Sequence, residues 1–257
     1  MRVIRILVGA SLTLVLGAAA LLARLIPAPA ARLRWLTAVR RAWARSLLSL
    51  LNVRVTVDPA AAACSGPALY VANHTGYLDI LVLMSVTPGV FISRADVRWW
   101  PLLGQAAWAG GTLFVDRSKR LSVGHLVRRV RRRLDKGAGV IFFPEARTSD
   151  GEGLLPFKSP LFAAAVTDDR RTYPIRPVVL RYRSVAGHPL DASNRHRVHW
   201  SGDARLIPHL WWMLAAPGVG VVVRTLPERP LTGDRHAFAR DLRDEMLRAY
   251  ENLATPG

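Results

Sequence analysis

The sequence predicts an α/β fold with a largely parallel or mixed central sheet flanked by helices. A hydrophobic and amphipathic helical segment that associates with membranes is expected to precede it. From residue 52 onward, short β-branched runs alternate with helical patterns, which is typical of α/β folds. Runs such as "GVIFF" and "PVVLRY" are apolar nearly throughout, as strands are when helices cover both faces of a sheet. We therefore divide the chain into N-terminal membrane-anchoring helices, residues 1–51, and an α/β domain, residues 52–257.

Two helical segments are predicted before the first strand. Residues 6–23 form an uninterrupted run of 18 apolar or small residues, near the lower limit for a helix that spans a bilayer. A secretory signal is the alternative, because "MRVIR" resembles its basic start and "APA" at 28–30 resembles a cleavage site. Arg24 lies between the run and that site, which argues against cleavage. Residues 31–51 predict an amphipathic helix that either lies at a membrane interface or packs on the α/β domain.

The charge of the chain indicates an anionic partner. The formal net charge is +18, and nine arginines precede Asp58, the first acidic residue. Nucleic acid and a membrane surface would both satisfy such a charge. Because half of the net charge falls in the most apolar segment, the sequence favours a membrane.

Cysteine and histidine usage predicts neither a disulfide nor a metal site. The single cysteine, Cys64, excludes an intrachain disulfide and is assigned no chemical role. Four of the seven histidines lie within residues 188–209, but no cysteine or carboxylate pattern completes a zinc site there. We expect no bound metal.

Periodicity predicts the elements of the α/β domain in order. Strands are expected at residues 53–57, 68–72, 90–93, 112–115, 139–143, 175–182 and 219–225. Helices are expected at residues 79–86, 121–136, 159–166, 208–214 and 236–252. Residues 187–203 form a long polar connection that suits an Ω-type loop or a lid. The helix at 121–136 carries an arginine face, which indicates either a solvated surface or attraction to anionic headgroups.

The segment "YVANHTGYLDILVLM", residues 70–84, sets a histidine and an aspartate between two apolar runs. Residues five apart on a regular helix point to different faces, so His74 and Asp79 can meet only if His74 lies in a turn between strand and helix. Thr75 and Gly76 favour such a turn. A carboxylate bonded to one ring nitrogen fixes the tautomer in which the other nitrogen accepts a proton. The pair is a candidate general base with its orienting carboxylate, and a structural histidine near a helix cap is the alternative.

Two further strands are predicted to end in polar residues. The stretch "GTLFVDR", residues 111–117, delivers Arg117 to its carboxyl end, where ligands bind in α/β sheets and a guanidinium can grip a phosphate. The stretch "VIFFPEARTSDG", residues 140–151, ends its strand at Pro144 and exposes Glu145, Arg147, Thr148 and Ser149 in a turn. Each alone resembles an ordinary surface loop, but three strands with polar ends favour a shared site.

Four motifs in this order resemble those of the glycerolipid acyltransferases typified by 1-acyl-sn-glycerol-3-phosphate acyltransferase. They are "NHTGYLD", "GTLFVDR", "FPEARTS" and "YPIRPVVL", and the resemblance covers residues 50–225. The third motif departs from the family pattern, because Ala146 replaces the usual glycine and Arg147 the usual threonine. The departure concerns the residues expected near the acceptor.

The resemblance implies transfer of an acyl group from coenzyme A or acyl carrier protein to a lipid hydroxyl, with no cofactor and no covalent intermediate on the enzyme. His74 would be the general base, and Asp79 would orient it. The headgroup of the acceptor would be held by Arg117, Glu145, Arg147, Thr148, Ser149 and Lys158. The first choice of acceptor is 1-acyl-sn-glycerol-3-phosphate, whose sn-2 hydroxyl would be acylated to give phosphatidic acid. A lyso-ornithine lipid is the alternative.

A different class of function is a basic, membrane-anchored binding module without turnover. It explains the arginines but not the pairing of His74 with Asp79. The resemblance implies instead an enzyme at the cytoplasmic face of the cell inner membrane, because soluble thioester donors are cytoplasmic in the family. Its partners would be the membrane, the lysolipid and the acyl donor, and not nucleic acid.

Overall fold

The computed structural model describes residues 1–59, 66–115, 122–166, 172–202, 204–215 and 218–253. The helices are α1 Arg2–Leu22, α2 Pro29–Leu50, α3 Leu78–Val86, α4 Leu103–Ala109, α5 Ser122–Asp135, α6 Leu206–Met213 and α7 Arg235–Asn252. The strands are β1 Val53–Val57, β2 Leu69–Ala72, β3 Val90–Arg94, β4 Leu113–Val115, β5 Val140–Phe142, β6 Ile175–Val185, β7 His188–Pro189 and β8 Val219–Thr225. Short 3₁₀ helices lie at Ala23–Leu25, Ala95–Trp99, Pro160–Ala165 and Arg195–Arg197.

The strands of the described residues form one mixed sheet in the order β1-β8-β6-β2-β5-β3-β4, with β7 paired to β6. Strands β6, β2, β5, β3 and β4 run parallel, and β8 lies antiparallel to β6. The predicted fold class is confirmed, and all seven predicted strands are present. Because β2 lies between β5 and β6, residues that follow β2 emerge at the carboxyl edge of the sheet beside the ends of both neighbours.

Helices cover both faces of the sheet. On one face, α2, α3 and α6 bury Leu48, Val82 and Met213. On the other face, α5 and α7 bury Leu134 and Leu242. Burial from both sides explains why a strand such as β5, with every residue buried, is apolar throughout.

Helix α1 packs against α2 and contacts the α/β domain near both of its ends. Near its start, Arg5 donates a hydrogen bond to the carbonyl of Leu214 at 2.7 Å. Just past its end, the guanidinium of Arg24 lies 4.6 Å from the ring centroid of Trp108. Among the described residues, Arg2–Leu25 is the one helical stretch long and apolar enough to span a membrane, with a mean hydropathy of 2.4. Only 17% of its most apolar window is buried within the fold, so it is not an interior helix of the domain.

One predicted helix differs from the structure, and one observed helix was not predicted. The helix expected at residues 159–166 is a 3₁₀ helix that begins at Pro160. Helix α4 was not predicted, because it is short and is preceded by Leu102 at a φ of 65°, a conformation no sequence pattern signals. The long connection at 187–203 contains β7 and a 3₁₀ turn and is otherwise irregular over its described residues.

Candidate active site

The His74 turn, residues 73–77, lies at the carboxyl end of β2 and leads into α3. The Asn73 side chain fixes its start, because Nδ2 donates to the carbonyl of Leu180 at 2.9 Å and Oδ1 accepts from the Leu180 amide at 2.8 Å. The chain then leaves the sheet in a non-helical turn, and Nδ1 of His74 comes within 2.9 Å of Oδ2 of Asp79. The prediction that these two side chains meet is confirmed.

The Asp79 carboxylate is buried and bonded on both oxygens. Its side chain is 1% exposed. Besides the His74 bond, Oδ2 accepts from the backbone N–H groups of Thr75 and Gly76, and Oδ1 accepts from the Tyr182 hydroxyl at 2.8 Å. Burial alone would raise the pKa of Asp79, but the bonds from His74 and the two amides lower it below its ordinary value. An ionised Asp79 keeps a proton on Nδ1 of His74 and holds the ring in one orientation.

The His74 ring and its backbone are held on other sides by the segment after β5. The ring stacks on Phe143, with centroids 3.8 Å apart and planes inclined by 8°. The His74 amide donates to Oε1 of Glu145 at 2.9 Å, and its carbonyl accepts from the Ser149 amide at 2.8 Å. The His74 side chain remains 18% exposed, and no described residue bonds its Nε2. Nε2 is therefore the ring nitrogen open to a substrate.

Glu145 joins the two segments through its buried carboxylate. Oε1 accepts from the His74 amide, and Oε2 accepts from the Leu155 amide at 2.9 Å. Glu145 is 3% exposed. Burial raises its pKa to about 7, although the bonds from the Leu155 and His74 amides oppose that shift. Both oxygens are occupied by backbone donors.

The Glu145 loop, residues 145–151, contains the departures from the family motif. Ala146 has a φ of 62°, in the left-handed region that glycine adopts most easily. The backbone expected for glycine is therefore retained, at a steric cost of about 1 kcal/mol. Arg147 is exposed, Thr148 is half-buried and Ser149 is buried.

Two predicted contact residues lie apart from this hydrogen-bonded core. Lys158 is exposed, and its amide bonds the carbonyl of Pro144 at 2.8 Å, which holds the two ends of the segment together. Arg117, like Cys64, lies outside the described residues, and β4, which leads toward it, ends at Val115. Within the described ranges, no group of three or more His, Cys, Asp or Glu residues is placed to hold a metal.

Two buried residues near Asp79 were missed by sequence reasoning. Tyr182 lies in β6, 103 positions after Asp79, in a strand whose apolar pattern indicates only core. His199 is buried against Gly151 and lies edge-on to the Tyr182 ring, with centroids 5.6 Å apart. Burial lowers the pKa of His199 to about 4, so the ring is neutral at pH 7. Neither contact has a local sequence signal, because each joins segments far apart in the chain.

Comparisons with known proteins identify relatives of this chain. The family model described as Acyltransferase matches residues 52–181. A lyso-ornithine lipid O-acyltransferase of Rhizobium meliloti is 35% identical over 81% of this chain and 71% of its own length. One of Pseudomonas aeruginosa is 32% identical over 84% of this chain and 80% of its own length. A 1-acyl-sn-glycerol-3-phosphate acyltransferase of Neisseria meningitidis is 37% identical over 56% of this chain and 55% of its own length.

A solved structure shares the whole fold. The crystal structure of the 1-acyl-sn-glycerophosphate acyltransferase of Thermotoga maritima matches with a TM-score of 0.67. The match covers 100% of this chain and 99% of that one, at 18% sequence identity. The likeness therefore includes the N-terminal helices as well as the α/β domain.

Proposed function

The chain belongs to the acyltransferase family and acts on lysolipids, and we propose that His74 is its general base and a soluble acyl thioester its donor. The 2.9 Å bond between Nδ1 of His74 and the buried Asp79, which leaves Nε2 open, carries this proposal. Nε2 takes the hydroxyl proton as the acceptor oxygen attacks the thioester carbonyl. The carbon–sulfur bond then breaks, and the imidazolium returns the proton to the leaving thiolate. Asp79 stabilises the imidazolium during the reaction.

We further propose that Glu145 holds the backbone of the active site in place and does not bind the headgroup of the acceptor. Both of its oxygens already accept backbone hydrogen bonds, and a headgroup could reach them only by displacing the His74 or the Leu155 amide. Contacts with the acceptor then fall to exposed side chains of the segment that follows β5. Arg147 and Lys158 are such side chains, and Arg117 joins them by the motif match.

For the acceptor we propose a lyso-ornithine lipid. The motifs alone favour 1-acyl-sn-glycerol-3-phosphate and leave the lyso-ornithine lipid as the alternative, so this proposal reverses their order. The relatives cited above that align over more than two thirds of this chain carry that name. Charges of both signs lie along the Glu145 loop and just after it. Arg147 and Asp150 of the loop are exposed, as is Glu152, which pairs with Arg195. An ornithine headgroup carries both a carboxylate and an ammonium group, so mixed charges suit it.

The acceptor is tested with purified protein in vesicles that contain either lyso-ornithine lipid or lysophosphatidic acid, each with labelled acyl-CoA and acyl carrier protein donors. We expect kcat/KM to be about 10-fold or more higher for the lyso-ornithine lipid. Glu152→Gln should lower kcat/KM for that acceptor only, because it removes an exposed carboxylate that the ammonium group would share with Arg195. Turnover of lysophosphatidic acid alone would reject the proposed acceptor and leave the acyl transfer chemistry intact.

The second candidate acceptor is 1-acyl-sn-glycerol-3-phosphate. It is favoured by the 37% identity to the Neisseria meningitidis enzyme and by two exposed cations, Arg147 and Lys158, in the segment that follows β5. A phosphate would use both cations, and Glu152 would not matter to it. Lys158→Gln should therefore reduce kcat/KM for lysophosphatidic acid, whereas Glu152→Gln should not.

We propose that the enzyme works at the cytoplasmic face of the cell inner membrane, with α1 lying along the surface in one leaflet. The exposed apolar side chains of α1 support a membrane contact. Because Arg5 and Arg24 tie both ends of α1 to the α/β domain, a crossing of the bilayer would require these contacts to break. Protease protection of tags in sealed inner-membrane vesicles tests the placement, and a tag before Met1 that lies on the periplasmic side would overturn it.

A further inference from the structure

Helix α6 lies beside the start of α1, on the side of the molecule that carries the exposed apolar residues. Arg5 of α1 bonds the carbonyl of Leu214 just after α6, and the Arg2 guanidinium lies 5.2 Å from the Trp211 ring centroid. The two helices therefore share one surface. This contact joins segments more than 200 positions apart, since Arg5 and Leu214 are separated by 209 residues.

The outer face of α6 is apolar and exposed. Ile207 is 80% exposed, Trp211 46% and Leu210 37%. In the first turns of α1, Val3, Ile4 and Leu7 are exposed as well. Isolated apolar side chains are common on protein surfaces, but a contiguous group of this kind marks an interaction site.

The charges around this surface indicate which partner covers it. No acidic residue occurs in residues 1–57 or in residues 204–215. Arg2 lies over the Trp211 ring, and Arg205 directly precedes α6. Arginine next to tryptophan at the edge of an apolar face is typical of an interface with anionic lipid. The eight residues of α6 are too few to span a bilayer, so the helix would lie in the interface.

We propose that α6 is a second membrane-contacting element, whose outer face enters the lipid interface beside α1. The proposal rests on the membrane location proposed above. It assigns to Ile207, Leu210 and Trp211 a role that neither the motifs nor the hydrogen-bonded core around His74 requires.

The inner face of α6 and the segment before it contact the His74 turn directly. Nδ1 of His209 lies 2.9 Å from the Tyr77 hydroxyl. The Trp200 amide donates to the carbonyl of Thr75 at 2.8 Å, and Gly76 packs against the Trp200 backbone. Burial raises the pKa of Tyr77 and lowers that of His209, so the phenol donates and the imidazole accepts.

Because of these bonds to the His74 turn, the proposed membrane contact of α6 bears on the position of the reacting groups. The element that touches lipid on one side supports the His74 turn on the other. A lipid acceptor could then bring its hydroxyl to His74 while its acyl chain stays in the bilayer. Docking at α1 alone would not fix that orientation, because no hydrogen bond in the described structure joins α1 to the His74 turn.

The contact is tested by environment-sensitive fluorescence on the whole 257-residue chain. Single cysteines are placed by Ile207→Cys, Leu14→Cys and Asp241→Cys in a Cys64→Ser background and labelled with a nitrobenzoxadiazole dye. Leu14 is an exposed position of α1, and Asp241 is an exposed position of α7 on the opposite face of the sheet. With phosphatidylglycerol vesicles, we expect emission to rise roughly twofold or more at 207 and 14 and to stay unchanged at 241.

The three positions separate the possible failures. A rise at 14 without a rise at 207 would overturn the α6 contact and leave membrane attachment through α1 in place. No rise at either position would overturn both. Acyl transfer measured in detergent is independent of these outcomes, so its loss would reject the proposed chemistry and not the surface.

A functional arm uses polar substitutions on the outer face. The double variant Ile207→Ser, Leu210→Ser should weaken vesicle binding and lower kcat/KM about 10-fold on acceptor in vesicles. With acceptor dispersed in detergent, the same variant should match the parent. A matched control, Arg240→Ser on α7, should change neither value. Equal turnover by the double variant and the parent in vesicles would count against the proposal.

Discussion

The His74 turn and the Glu145 loop lie side by side but differ in the burial and the hydrogen bonding of their side chains. In the turn, Asp79 is 1% exposed and bonded on both oxygens, and the His74 ring is fixed between Asp79 and Phe143. In the loop, Arg147 is exposed and Ala146 occupies a backbone conformation better suited to glycine. Chemistry common to a family needs fixed geometry, whereas recognition of a particular acceptor can change at an exposed loop without disturbing it.

The largest expected effect separates the chemistry of the turn from binding. We expect His74→Ala to lower kcat by about 10⁴-fold, because it removes the group that takes the hydroxyl proton. Vesicle binding should stay close to that of the parent, because His74 lies in neither α1 nor α6. A non-catalytic binding module predicts the reverse, with function lost only when N-terminal arginines are replaced. Retention of more than about a tenth of the parent kcat would remove His74 from its proposed role.

Glu145 connects the two regions, and its ionisation should make their packing sensitive to pH. Its pKa is raised from 4.5 to about 7, so between these values the folded state keeps a proton that the unfolded state releases. The contribution of Glu145 to stability is therefore full below about pH 4.5 and is lost as the pH rises through 7. Relative to Glu145→Gln, the parent should lose up to about 3 kcal/mol of unfolding free energy between pH 4.5 and 8.

Urea denaturation of both proteins across this range measures the difference. His199 titrates in the opposite direction, because its lowered pKa makes stability fall as the pH drops from 6.5 toward 4. It is present in both proteins, so its effect cancels in the difference. A gap between parent and variant that does not change with pH would show that Glu145 is ionised throughout.

Tyr182 offers a smaller and more selective change to the turn. Tyr182→Phe removes one hydrogen bond to Oδ1 of Asp79 and keeps the buried ring. We expect kcat to fall about 10-fold with KM unchanged, because Asp79 then holds His74 less firmly. Tyr70→Phe is the matched control, since Tyr70 is also buried but its hydroxyl bonds the carbonyl of Gly66. A similar loss of kcat in both variants would indicate general loosening of the core instead of a specific role.

The contrast between the two regions also explains what the sequence could predict. The strands were predicted because covered strands are apolar runs, as in β5. The meeting of His74 with Asp79 was predicted because only a turn between them allows it, and the residues of a turn are local. The partner Tyr182 was not, since its strand indicates only core and the contact spans 103 positions.

Two further features, the hydrogen-bond partners of Glu145 and the position of α6, also depend on contacts between distant parts of the chain. The motif match suggested Glu145 as a headgroup contact, and only the fold places both of its oxygens on backbone amides. Helix α6 was predicted, but its position beside α1 rests on the bond from Arg5 to Leu214. Local patterns determine elements, and the surfaces that those elements share follow from tertiary contacts.

The smallest expected effect tests the backbone of the Glu145 loop. Ala146→Gly should relieve about 1 kcal/mol of left-handed strain, while the freer unfolded chain offsets part of that gain. The net result should be about 0.5 kcal/mol of added stability, measured by urea denaturation, with the ratio of acceptors unchanged because Arg147 is kept. Gly151→Ala makes the opposite change in the same loop, where φ is 81° and an added Cβ would overlap the His199 ring. Gly151→Ala should therefore lose stability. If Ala146→Gly also loses stability, contacts of the Ala146 methyl group stabilise the fold by more than the backbone strain at this position destabilises it.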